Sequence, residues 1–190
     1  MYYITFDDVK ITITNIDDIK TINNPENVKV LSLYNNNLTE LDKDICSNLT
    51  QLKYLDLGFN KLTELDKDIF SNLTQLQQLN LGVNLLTQLD KNIFSNLTQL
   101  KKLKLNNNKL TELDKNIFVN LTQLQVLKLS NNKLKNIPIS IRHCKYLEFY
   151  KPEFDIPNYQ YIDSLPYLVN KQIAHYYYKP VLDYYNSKYL

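Results

Sequence analysis

Residues 52–75 read LKYLDLGFNKLTELDKDIFSNLTQ, residues 76–99 read LQQLNLGVNLLTQLDKNIFSNLTQ, and residues 100–123 read LKKLKLNNNKLTELDKNIFVNLTQ. Self-similarity at a fixed period of 24 marks a stacked repeat. An earlier copy, VKVLSLYNNNLTELDKDICSNLTQ, fills residues 28–51, and a shorter fifth, LQVLKLSNNKLKNIPISIRHCKY, fills residues 124–146. Within a copy, the alternation at Leu55 and Leu57 has the two-residue period of a short strand with one buried face. One such unit cannot bury that face alone. Neighbours stacked about 4.8 Å apart give a parallel sheet over a continuous leucine core. Asn36, Asn60, Asn84, Asn108 and Asn132 fall where each strand must turn, and an Asn amide there can satisfy backbone groups that the turn orphans. Phe70, Phe94 and Phe118 are expected to stack as a second spine, with Cys46 as a smaller plug at its start.

The positions Leu52, Leu55, Leu57, Asn60 and Leu62 match L-x-x-L-x-L-x-x-N-x-L, and Leu65, Ile69, Phe70 and Leu73 follow in the longer half. This resembles the leucine-rich repeat family in its 24-residue class. The fifth copy, with Ile137-Pro138 and Ile141, is similar to the 23-residue class. The Asn-, Lys-, Ile- and Tyr-rich usage resembles that of giant-virus or protist members. The resemblance implies an α/β fold: a right-handed solenoid with a concave parallel β-sheet and, by its usual role, protein or peptide binding.

Solenoid ends need caps. Residues 1–27 alternate through Ile4, Phe6, Val9, Ile11 and Ile13 without the turn Asn, and are expected to form an N-terminal capping half-repeat. Residues 28–147 hold the five repeats (28–51, 52–75, 76–99, 100–123 and 124–146). Residues 148–190 hold most of the 15 tyrosines and are expected to form a helical C-terminal cap. Within it Ser164 is an N-cap candidate, with Pro166 in the first turn and the helix running to about Tyr178 before Pro180.

The middle copies supply their own comparison. Strand position 3 carries Tyr54, Gln78 and Lys102, position 5 carries Asp56, Asn80 and Lys104, and position 8 carries Phe59, Val83 and Asn107. The second half repeats almost verbatim, including polar Thr63, Thr87 and Thr111. Drift alone should have scrambled both halves. Since strand side chains alternate faces, positions 3 and 5 point away from the leucines, onto the concave surface. That surface offers Tyr34, Tyr54, Asp56 and Phe59 at one end, Gln78 and Asn80 in the middle, and Lys101, Lys102, Lys104 and Lys128 at the other. Aromatic anchors suit a protein interface, and a lysine cluster suits an acidic partner. A solvated, aggregation-blunting surface accounts for the lysines equally well at this stage.

The 190 residues carry 22 Lys+Arg against 20 Asp+Glu, a formal net charge of +2. That balance argues against a whole-chain electrostatic role such as coating DNA or an acidic membrane. No stretch has the run of about 18 apolar residues that a membrane-spanning helix needs. Met1-Tyr2-Tyr3-Ile4 opens with neither a basic nor an apolar leader segment, so an intracellular protein is expected. The two cysteines make no disulfide framework.

Other motifs are read as scaffold. The Asn-Leu-Thr sequons at Asn48, Asn72, Asn96 and Asn120 are one repeat position copied, with a further one at Asn37. Asp42, Asp66, Asp90 and Asp114 form a row of the kind that holds calcium between turns, yet each precedes a Lys that offsets its charge and suits a turn N-cap. His143-Cys144 lacks a third orienting residue, and Cys46, His143, Cys144 and His175 lack zinc spacing. Tyr176-Tyr177-Tyr178 beside Lys179 fits a cap better than a nucleic-acid stacking platform. The expectation is a monomeric, non-catalytic protein-interaction module without cofactor or metal. Its alternatives are a substrate-recognition adaptor in an assembly such as a ubiquitin ligase, and a nucleic-acid binder using the lysines.

Overall fold

In the computed structural model the described residues are 2–6, 9–13, 15–135, 138, 140 and 146–148, the strands at 2–6, 9–13 and 146–148 by backbone alone. The expected helical cap, with Ser164, Pro166 and Tyr178, and the residues His143, Cys144, His175 and Tyr176 to Lys179 lie outside them.

Eight strands are described: β1 (Tyr2–Phe6), β2 (Val9–Ile13), β3 (Val28–Ser32), β4 (Tyr54–Asp56), β5 (Gln78–Asn80), β6 (Lys102–Lys104), β7 (Val126–Lys128) and β8 (Tyr146–Glu148). They form one sheet in the order β2-β1-β3-β4-β5-β6-β7-β8, parallel from β3 onward. From β3 to β7 each parallel step pairs residues 24 apart, Leu31 with Leu55, then Leu79, Leu103 and Leu127, whereas β7 pairs with β8 only 20 residues on, Leu127 with Leu147. The repeat period therefore sets the register from β3 to β7.

The N-terminal edge of the sheet is antiparallel. β1 pairs antiparallel with both β2 and β3, with a register shift at Thr5/Phe6 against β3. Phe6 pairs with Val9, leaving two residues between them, and so short a connection can join only antiparallel neighbours. A 3₁₀ helix follows at Ile16–Thr21, capped by the Asn15 side chain accepting from the Asp17 N–H at 3.1 Å. It sends Ile19, 1% exposed, into the core. Its Lys20 ammonium lies 2.8 Å from the Asp42 carboxylate and ties this cap to the first repeat.

No α-helix occurs among the described residues; the convex half of each of the four repeats in residues 28–123 is a run of tight turns. Phe70, Leu73 and Leu76 are buried at intervals of three, which suits i→i+3 hydrogen bonding better than the α-helical period. Leu73 N–H donates to Phe70 O and Leu76 N–H to Leu73 O, each at 3.0 Å. Each run starts at an Asp cap. The Asp42, Asp66, Asp90 and Asp114 carboxylates accept from the N–H two residues on, at 2.7–2.8 Å.

One core runs through the array. Leu52, Leu55, Leu57, Leu62, Ile69, Phe70 and Leu73 and their counterparts in residues 76–121 are buried, forming leucine columns behind the sheet. Phe70, Phe94 and Phe118 stack on the convex side with centroids 6.4 and 6.1 Å apart. Cys46 sits buried in the same column, where desolvation pushes its thiol up to about 12. That is packing material, not a nucleophile.

Candidate functional site

The concave columns form as the alternation requires. Val30, Tyr54, Gln78, Lys102 and Val126 stand side by side, and so do Ser32, Asp56, Asn80, Lys104 and Lys128. The two columns grade in accessibility: Tyr54, Gln78, Asn80 and Lys128 are half-buried, whereas Lys102 and Lys104 are exposed. Lys101, one residue before β6, is exposed as well.

Asp56 departs from the expectation of an open ligand group. It is 8% exposed, and both carboxylate oxygens are engaged within the chain. Oδ2 accepts from the Tyr54 hydroxyl at 2.8 Å, while Oδ1 accepts from the Gly58 N–H at 2.9 Å and from Asn80 Nδ2 at 2.8 Å. The Asn80 carbonyl in turn accepts from the Gly82 N–H at 2.9 Å. Asp56 thus orients Tyr54 and Asn80 from below. Both glycines of the chain serve this ladder by their lack of a side chain, not by an unusual φ. A Cβ on Gly58 would stand 2.6 Å from Asn80 Nδ2, and one on Gly82 would stand 2.9 Å from Asn106 Oδ1.

Tyr34 and Phe59 meet at the strand ends with ring centroids 5.0 Å apart and planes tilted by 51°. They are 42% and 49% exposed. Phe59 also reveals a constraint that residue types alone conceal. Position 8 adopts a left-handed backbone in every described repeat, with φ of 55–56° at Asn35, Phe59, Val83, Asn107 and Asn131. Asn tolerates this region, but Phe and the β-branched Val are strained there by about 1–2 kcal/mol. The sequence signal was the Asn that returns in three of the five copies, visible once the first and fifth copies are aligned with the middle three. The same extension brings in Val30, Ser32 and Val126, which a comparison of the middle copies misses. It also puts Glu148 of β8 in register with Lys128.

The lysine end is electropositive. Among the described residues, no ion pair engages Lys101, Lys102 or Lys104; the pairs formed involve Lys20, Lys43 and Lys67, all away from the concave columns. Three sequon asparagines lie on the opposite side with their amides committed. Asn72, Asn96 and Asn120 donate to the carbonyls of Ser47, Ser71 and Ser95 at 2.8–3.0 Å. No group of three or more His, Cys, Asp and Glu among the described residues is placed to hold a metal ion. No helix among them is long and apolar enough to cross a membrane.

The leucine-rich repeat family model matches residues 12–62, 26–86, 50–110 and 98–149. No curated protein matches. Among solved structures, the leucine-rich repeat domain of APL1B is 28% identical, with a TM-score of 0.59 over 64% of this chain and 39% of that one. The Toll–Spatzle complex of Drosophila contains a chain 31% identical, with a TM-score of 0.62 over 65% of this chain and 17% of that one. In the TLR13–ssRNA13 complex a chain is 25% identical, with a TM-score of 0.65 over 77% of this chain and 22% of that one. The chain thus spans well under half the length of each. Four overlapping family matches and a parallel sheet whose register is the repeat period agree: the chain belongs to the leucine-rich repeat family.

Proposed function

We propose that the chain is a non-catalytic interaction module that binds a protein partner across its concave sheet, through Tyr34, Tyr54, Phe59, Gln78, Asn80, Lys102, Lys104 and Lys128, with Asp56 positioning Tyr54. One observation carries the reading. Across repeats two to four the columns that face away from the core change at every step, while exposed residues of the turn half are copied. Its relatives support a binding role, since the Drosophila structure pairs Toll with Spatzle. Affinity capture tests it: wild type should retain a partner that a folded variant with Tyr54, Gln78 and Lys102 replaced by Ser does not. Equal retention by both removes the concave face from the account. An adaptor role would additionally require a second docking motif at one end of the chain.

A second reading has a specific observation behind it, because Lys101, Lys102 and Lys104 form no ion pair among the described residues and a relative is seen with single-stranded RNA. Retention of RNA that falls steeply with salt would favour it; no retention at low salt would end it.

A further inference from the structure

Resting on the concave-face reading, we propose that the occupant is an extended segment of the partner that carries an apolar side chain and, about four to six residues away, a cluster of Asp or Glu. The apolar side chain docks on Tyr34 and Phe59, and the carboxylates meet Lys102 and Lys104.

Three observations set this polarity. First, the apolar end is built against backbone preference. The left-handed column runs Asn35, Phe59, Val83, Asn107, Asn131, so the two residues least suited to that conformation stand next to each other, and Phe59 packs on the exposed Tyr34 ring. Folding alone would have favoured Asn or Gly at both positions. An outlier held where a large ring stays half-exposed points to a contact beyond the chain.

Second, charge divides the face. Lys102 and Lys104 are exposed and, among the described residues, form no ion pair. At the other end Asp56 stands on β4, three residues before Phe59, with its carboxylate oxygens already taken by Tyr54, Gly58 and Asn80. An acidic residue is repelled there and attracted at β6. Lys102 and Lys104 both stand on β6, so the exposed positive charge of the columns centres there.

Third, the distance fits a short segment. Tyr34 follows β3 and the lysines sit on β6, three strand spacings or about 14 Å across the sheet. Tyr34 and Phe59 also lie beyond the strand ends, which lengthens the path. At about 3.3 Å per extended residue that is bridged in four to six residues.

Selection of random twelve-residue peptides displayed against the full chain tests the proposal, followed by fluorescence anisotropy of the synthetic peptides obtained. The expected peptides pair an apolar residue with Asp or Glu at the stated spacing. Their affinity should fall at least about tenfold with Phe59→Asn, and as much with Lys102→Gln/Lys104→Gln. Phe59→Asn installs the residue that this backbone prefers, so a binding loss cannot be laid to misfolding; circular dichroism checks the double variant. Acidic peptides that bind equally without an apolar residue overturn the proposal. Peptides lost on replacing Tyr54 and Gln78 by Ser, but indifferent to Phe59→Asn or to the lysine changes, overturn it and leave the concave-face reading standing. Single-stranded poly(U) bound at that face in place of any peptide, or no binder sensitive to any concave residue, overturns both.

Discussion

The Asn84 amide is used at both ends. Its Oδ1 accepts from the Leu62 N–H of the preceding repeat at 3.1 Å, and its Nδ2 donates to Leu57 O at 2.9 Å and Leu81 O at 3.2 Å. Asn60, Asn108 and Asn132 do the same in their own turns. Asn84→Ala therefore leaves buried donors and acceptors unpaired and should cost about 3 kcal/mol in urea denaturation; a loss below about 0.5 kcal/mol would contradict the ladder's role. Val83, next door, predicts the opposite sign. Val83→Asn relieves a β-branched residue at φ 56° and should raise stability by about 1 kcal/mol, read by the same denaturation. A destabilised variant would mean that Val83 packing outweighs its strain. The Asn row was legible because spacing alone put it at the turn. The left-handed column beside it was not, because Phe59 and Val83 break the Asn pattern that announces such a backbone.

Each parallel strand spans only three to five residues, so its lateral neighbours hold it more than its own length does. The polar ladder from Asp56 through Asn80 is part of that support. Gly58→Ala drives a Cβ into Asn80 and should break the 2.8 Å contact to Asp56, at a cost of about 1–3 kcal/mol, measured by thermal melting. An unchanged melting temperature would show that Asn80 swings aside freely. At the N-terminal edge, Lys20 is held above its ordinary 10.5 chiefly by its hydrogen bond to Asp42, which in turn holds Asp42 below 3.8. Asp42's contribution is full above its unfolded value and is lost as pH falls through the lower folded one. Lys20's is full below 10.5 and is lost as pH rises through its raised folded value. Both are present near neutrality. Asp42→Asn keeps the turn's acceptor but removes the charge, so amide exchange should quicken across residues 16–21 and stay unchanged in repeats three and four; no change at the cap would dismiss the tie. Parallel register was readable from β3 to β7, where the fixed period permits no other. The antiparallel hairpin was not, since Ile4 to Ile13 show the same alternation whichever way the strands run.

Across the whole molecule, each repeat touches its neighbours, and buried columns carry stability from one to the next. Phe94 is sandwiched between Phe70 and Phe118, and its truncation to Ala should cost about 3–5 kcal/mol by denaturation, spread over both neighbours. The copied turn half makes this frame; the changing strand half is the surface proposed to meet a partner. A photoreactive benzoylphenylalanine distinguishes the two faces directly when placed at Lys102 on the concave sheet or at Thr111, exposed in the copied half. Irradiation in extract of the source cell should give a discrete covalent adduct from position 102 and none from position 111. Adducts from position 111 alone, or equal yields from both, would contradict a gripping inner surface.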